Sequence, residues 1–209
     1  NEFPNADIRY TTDGSDLNES SEKYINPIQL TETTEIRASL FENEKRFGKE
    51  FKKTINFHKA IGKKVSLKEV YSDRYQGTGE YTLVNALRGT KNFHDGQWQG
   101  WLGNDLEAII DLEKEETIQQ VVVGSMENQG SGIYFPTAIQ VLVSSDGEKF
   151  EEVGTIERAF AKNGISELKD FKVTFKERTA RYIKVLVTNE KKIPSGGRAW
   201  LFVDEILID

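Results

Sequence analysis

Residues 93–112 read FHDGQWQGWLGNDLEAIIDL, and the fold turns on how they are read. Two of the chain's three tryptophans, Trp98 and Trp101, fall here among Gly96, Gly100 and Gly103, with Asp95, Gln97, Gln99 and Asn104 alongside. A buried strand has no use for so many glycines and amides. An ordinary solvent loop has no use for two indoles. The segment then runs into AIIDL, residues 108–112, an apolar run of strand length. Such a loop leads into a sheet and carries large rigid ring faces that cost little entropy to present. Sugars offer a C–H face that stacks on such rings, and hydroxyls that need amides and charges. Asp95, Gln97, Gln99, Asn104 and, from far along the chain, Arg198 supply those groups.

Outward from this loop, polar–apolar alternation dominates and helical periodicity is scarce. Downstream, TIQQVVVGSME, TAIQVLVSSD, FEEVGTI, FKVTF, RYIKVLVT and LFVDEILI follow at the spacing of a β-sandwich or barrel. SSDGEKFEEV reads as a hairpin turned on Asp146-Gly147. Upstream, DIRYTT, TEIRASLFE and EFKKTINF are short antiparallel strands with one wet face, separated by TDGSD and by Asn26-Pro27. Residues 58–82 lose the alternation, and their start reads as a linker. Two all-β modules result, residues 1–58 and 62–209. The chain opens NEFPNADIRY without an initiating methionine, and the first module is short for a full sandwich. The expectation is therefore a fragment whose first module lacks its opening strand.

Composition narrows the function. The 209 residues are 37% hydrophobic and 30% charged, with a formal charge of −6 and no basic tract, so nucleic acid is excluded as a natural partner. No apolar run is long enough for a transmembrane segment. Cysteine is absent, so disulfides contribute nothing. The two histidines, His58 and His94, come with no cysteine and no G-x-S-x-G elbow. Asp204-Glu205 is the one adjacent acid pair in an apolar strand, and alternation is expected to point its two carboxylates to opposite faces. No catalytic residue is assigned.

Two resemblances follow from particular residues. YTTDGS, then Tyr24 with NPI, then TTEIRASLF resemble the small fibronectin-like β-sandwich at the C-terminus of chitobiases and other family 20 glycoside hydrolases, with Leu17 where that family commonly has proline. LVNALRGTKNFHDGQWQGW, AIIDLEKEETIQQVVVG, FPTAIQVLVSSDGEKFEEV, ARYIKVLV and AWLFVDEILI resemble, in order, a discoidin or coagulation factor V/VIII type C domain. The tandem resembles the C-terminus of a Bacteroides-type family 20 β-N-acetylhexosaminidase. The implied fold is all-β: a small Ig/fibronectin-like sandwich followed by a galactose-binding-like jelly roll.

That resemblance carries expectations. One of Trp98 and Trp101 should be a core staple and the other should line a shallow surface. Asp95, Trp98, Trp101, Tyr134, Arg198 and Trp200 are the expected glycan-binding residues, drawn from three loops that meet at one end of the jelly roll. The glycan would bear galactose, N-acetylgalactosamine or N-acetylglucosamine. A structural calcium ion is expected at the LVNALRGT turn, held by Leu83, Asn85, Thr90 and Glu205, with Asn85 and Ala86 where the family often has Asp and Gly. The parent chain's catalytic barrel is the implied partner, and an extracellular, periplasmic or surface location the implied setting. Purely structural bracing modules, or a protein or phospholipid adhesion module, fit the same sequence.

Overall fold

The structure is a computed structural model that describes residues 5–162, 164, 166–191, 193–194 and 196–209. The chain forms two compact units, Asn1–Phe57 and His58–Asp209. Residues 58–61, read from sequence as the end of one module and a linker, therefore belong to the second unit.

The first unit is a four-stranded antiparallel sheet. Its strands are β1 (Asp7–Thr11), β2 (Glu22–Lys23), β3 (Thr34–Glu42) and β4 (Lys45–Ile55), in the order β2-β1-β3-β4. Asn43 and Glu44, at φ 50 and 64, make the two-residue turn between β3 and β4; positive φ at both central positions matches the twist of a hairpin. Register puts Ile8, Tyr10, Ala38 and Leu40 on one face. On the other face, Arg37 donates to the carbonyls of Gly14 and Ser15 and to the Asp16 carboxylate, which ties the loop that carries the buried Leu17 to the sheet. Among the described residues this unit is a single four-stranded antiparallel sheet with a loop tied to it.

The second unit holds β5 (Lys64–Leu67), β6 (Gln99–Leu102), β7 (Leu106–Asn128), β8 (Ala138–Ser144), β9 (Glu151–Glu157), β10 (Ser166–Thr188) and β11 (Trp200–Ile208). AIIDL and TIQQVVVGSME are one continuous strand, β7, and FKVTF and RYIKVLVT are likewise one, β10. The first half of β7 pairs β5 and the end of β10; its second half pairs β11 and the start of β10. Register shifts at Thr174/Arg178 and Ala180/Tyr182, with Glu113 at φ 70, bend the two strands through the corner. Bulged strands that pass from one layer to the other are how a sandwich turns its corners. The result is an antiparallel, discoidin-like β-sandwich, with β8 and β9 joined by the turn at Gly147, φ 79. Asp146 fixes that turn by accepting from the Ser144 hydroxyl and the Glu148 and Lys149 amides.

The main core lies between the layers. It includes Leu106, Ala108, Ile110, Val121, Val123, Val185, Val187, Leu201 and Ile206. These are the inward positions of strands that alternate. A second cluster of Trp98, Met126, Ile133 and Phe202, flanked by Tyr75, Phe93 and Trp200, sits under the loops.

Candidate functional site

Three loops meet beside the start of β11. Gly103 N–H donates to the Ala199 carbonyl, Trp200 N–H to Gly132, and Tyr134 N–H to Trp200. Asn189 knots them together. Its fully buried amide nitrogen donates to the carbonyls of Trp101, Asn104 and Ala199 at 3.3, 3.1 and 3.1 Å, and its main-chain N–H to Asp105.

Both tryptophans of the opening loop are staples. Trp98 is 3% exposed and Trp101 1%. The Trp98 ring lies against the backbone of Gly89, where an added Cβ would come 2.2 Å from it, and stacks on Phe202; its Nε1 donates to the Thr90 carbonyl. Trp101 enters the main core, meets Tyr71 edge-on and donates to the Glu69 carbonyl. A Cβ on Gly100 would fall 2.2 Å from Phe202. Two of the glycines, Gly89 and Gly100, are thus there so that rings can be seated under the loop. The expected surface platform on one of these two indoles is not formed.

The other expected glycan residues divide. Asp95 is spent on its own loop: Oδ2 accepts from the Thr90 amide and hydroxyl, and Oδ1 from Gln97 N–H. Tyr134 is buried, and burial, with Glu127 and Glu190 nearby, pushes its hydroxyl above the usual tyrosine range. Arg198 is exposed, with its side chain packed over Gly103. Trp200 is half-buried.

Tyr75, which the Trp200 ring meets, lines a cleft of about 300 Å³ between residues 73–77 and 93–98. Tyr75 is its hub, with ring centroids 5.1 Å from Trp200, 4.6 Å from Phe202 and 5.7 Å from His94. Asp73, Arg74, Gln76 and His94 bring a carboxylate, a guanidinium, an amide and an imidazole to the rim, all on exposed residues. Tyr75 and Arg74 escape a sequence reading because SDRYQGTG has no periodicity. Gln76 bridging to Gln99 in β6 ties that segment to the Trp loop.

The expected calcium turn is filled by the protein itself. Glu205, fully buried, accepts on Oε1 from the Ala86 amide at 3.0 Å and from His58 Nε2 at 2.9 Å. The Ala60 amide donates to His58 Nδ1, which leaves the ring proton on Nε2 and makes His58 the donor. Asn85 Oδ1 takes the Leu87 amide, its amide nitrogen donates to Thr78, and the Thr90 carbonyl takes Trp98. Leu83 is a buried core residue of the turn Thr82–Val84. Next door, Asp204 accepts from Arg88 Nε and Gly89 N–H, and Arg88 also pairs with Asp170. Calcium takes six to eight oxygens. Here Glu205 Oε2 and Asp204 Oδ1 are the carboxylate oxygens without a partner, and a fixed guanidinium already occupies the turn. Among the described residues no group of three or more histidine, cysteine, aspartate or glutamate side chains gathers in one place.

The same geometry corrects the expectation for Asp204-Glu205. The pair does not point to opposite faces; both carboxylates bond residues 86–89. One extra residue of β11 between Val203 and Ile206 makes a bulge, and a bulge sets neighbouring side chains toward one side. Burial pushes both carboxyls above their ordinary range, opposed by Arg88 for Asp204 and by His58 for Glu205. At 1% and 0% exposure neither reaches a substrate.

The chain belongs to the F5/8 type C domain family, whose model matches residues 66–206. The chitobiase/beta-hexosaminidase C-terminal domain model matches residues 1–48. No curated protein matches the chain. Solved structures to which the chain is similar include a Streptococcus pneumoniae fucose binding module, 17% identical, covering 73% of this chain and 94% of that one at a TM-score of 0.48. Chitosan-binding module 2 of a chitosanase/glucanase from Paenibacillus sp. IK-5, in complex with chitotriose, is 16% identical over 72% and 98% at 0.47. The C-terminal domain of a chitobiase from Bacteroides fragilis is 19% identical over 70% and 93% at 0.42.

Proposed function

We propose that this chain is the glycan-binding, non-catalytic accessory region of a secreted or surface family 20 β-N-acetylhexosaminidase of the Bacteroides type. The observation that carries the binding role is the cleft that Tyr75 lines. It joins partly exposed aromatic edges of Tyr75 and Phe93 to Arg74, Asp73, Gln76 and His94, which is the mix of ring surface and convergent polar groups that a sugar needs. The chitobiase C-terminal match at residues 1–48 supports the enzyme class. In this reading the second unit holds the parent's catalytic barrel close to glycans bearing galactose, N-acetylgalactosamine or N-acetylglucosamine, outside the cytoplasm. A shallow cleft of this size suits weak binding: a dissociation constant of about 1 mM corresponds to only about −4 kcal/mol.

Isothermal titration of residues 1–209 with these three sugars tests the reading, beside the variants Arg74→Ala and His94→Ala. Arg74→Ala is expected to weaken binding at least tenfold without lowering the melting temperature, because its guanidinium lies at an exposed rim. Binding of no sugar by the wild type, or binding untouched by either variant, would refute it.

A further inference from the structure

A cleft of about 620 Å³ shares no described lining residue with the one at residues 73–77. Its described walls include Gln129, Gly132, Tyr134, Lys162, Ile193 and Pro194. It is of the size at which proteins hold small ligands. Gln129 Nε2 donates to the Ala161 carbonyl at 2.7 Å, and Gln129 Oε1 accepts from Gly164 N–H at 3.3 Å, so both ends of that carboxamide are committed to the wall itself. Tyr134 is held in place twice: its main-chain N–H donates to the Trp200 carbonyl at 2.9 Å, and its ring meets Phe160 at 5.7 Å.

Tyr134 is 5% exposed, yet its hydroxyl has no hydrogen-bond partner among the described residues. A buried hydroxyl is ordinarily paired, because leaving it unpaired costs free energy. Burial, with Glu127 and Glu190 nearby, holds this one in its protonated form, so it stands ready as a donor. The same two carboxylates repel any anion seated on that hydroxyl. The acceptor that fits is therefore uncharged. The cleft also carries the apolar surfaces of Ile193 and Pro194, and no carboxylate is among its described lining residues. A hydroxyl donor in a cleft with a small apolar wall complements a carbonyl that bears a methyl group, which is what an acetamido substituent presents. The exposed Lys162 ammonium supplies further donors for the hydroxyls of a sugar ring.

We infer that this cleft is a site for an N-acetylated amino sugar. The acetamido carbonyl accepts from the Tyr134 hydroxyl, and the methyl lies against Ile193 and Pro194. This rests on the reading of the chain as a glycan binder, but not on the cleft at residues 73–77.

The test is titration of the isotope-labelled whole chain, followed by the amide resonances of Gly132 and Tyr134. The probes are N-acetylglucosamine, N-acetylgalactosamine, glucosamine, galactose and N-methylacetamide. Both amides are expected to shift with at least one acetamido sugar, and affinity at this cleft to be at least about tenfold weaker for the other three probes. Tyr134→Phe keeps the ring and removes only the hydroxyl, so it should weaken acetamido-sugar binding about tenfold, read at Gly132, without lowering the melting temperature. Ile193→Ser should weaken it likewise, and decides the matter should Tyr134→Phe melt early. No shift at Gly132 and Tyr134, equal affinity for sugars with and without the acetyl group, equal affinity for N-methylacetamide, or affinity that survives both variants overturns the inference. The amides of Gly77 and His94 report the other cleft separately. Sugar-induced shifts there, with none at Gly132, sink this site and leave the glycan-binding reading in place; failure of every sugar at both clefts sinks both.

Discussion

Replacing His58 by alanine tests the closure of the turn at residues 83–90. The imidazole side chain is 0% exposed and supplies one of the two N–H groups on Glu205 Oε1. Removing it leaves a buried carboxylate on the Ala86 amide alone, with Oε2 already lacking a partner. A hydrogen bond to a charged group contributes about 1.5–3 kcal/mol, and breaking a buried pair by deleting one member costs about 3–5 kcal/mol. We take about 3 kcal/mol as the expected loss, the value at which the two ranges meet. For a domain of about 150 residues each kcal/mol moves the melting temperature by roughly 2–4 °C, so His58→Ala should melt about 10 °C below the wild type. His58→Gln, whose amide keeps a donor on a similar reach, should recover part of that. Differential scanning calorimetry of the second transition reads both. Calcium and chelator should leave the wild-type melt unchanged, since His58 and the Ala86 amide already serve Glu205 and Arg88 already pairs with Asp204. A His58→Ala melt within about 2 °C of the wild type, or a wild-type melt lowered by chelator, would refute the reasoning.

Trp98→Ala and Trp101→Ala should both destabilise the second unit, by about 3–5 kcal/mol each as buried rings; chemical denaturation checks this, and a Trp98 variant of wild-type stability would mean that its ring is not a staple. Asn189→Ala removes three donated hydrogen bonds and should cost about 2 kcal/mol, with hydrogen exchange rising at Gly103 and Trp200 as the loops part; unchanged exchange there would show that the loops hold without it. The Asp111 carboxylate is gripped in bidentate fashion by Arg181 at 2.7 and 2.8 Å, which holds its carboxyl below the usual range. A folded value below the unfolded one gives stability that is present above about pH 4 and lost as pH falls through the folded value. Asp111→Asn should therefore lower the stability at pH 7, by at most about 1 kcal/mol for so exposed a pair, and the gap should shrink in acid; a gap independent of pH would contradict the ion pair's role.

The strands were legible because alternation survives burial on one face, and the Asp146-Gly147 turn because Gly147 needs positive φ. The joining of strands into β7 and β10 was not legible. A bulge or a corner residue such as Glu113 breaks the alternation in the same way that a loop does. The Trp loop was half legible. DGQWQGW announces rings and tight backbone, but whether a ring faces water depends on Gly89, outside that motif, and on Phe202, distant in sequence, which flank Trp98. His58 looked like linker because its partner, Glu205, lies 147 residues away. Asn189 looked like one more polar residue in the run TNEKK, and only its burial shows the three carbonyls that it serves.

Lys59 N–H donates to the Ile208 carbonyl at 2.9 Å, so the second unit is entered and left at one point. A body whose two ends share a doorway can be spliced into a loop of another fold without prising that loop apart. Pulled by those ends, it would open like a zip, one hydrogen bond after another, starting from the Lys59–Ile208 bond and the His58–Glu205 clasp beside it.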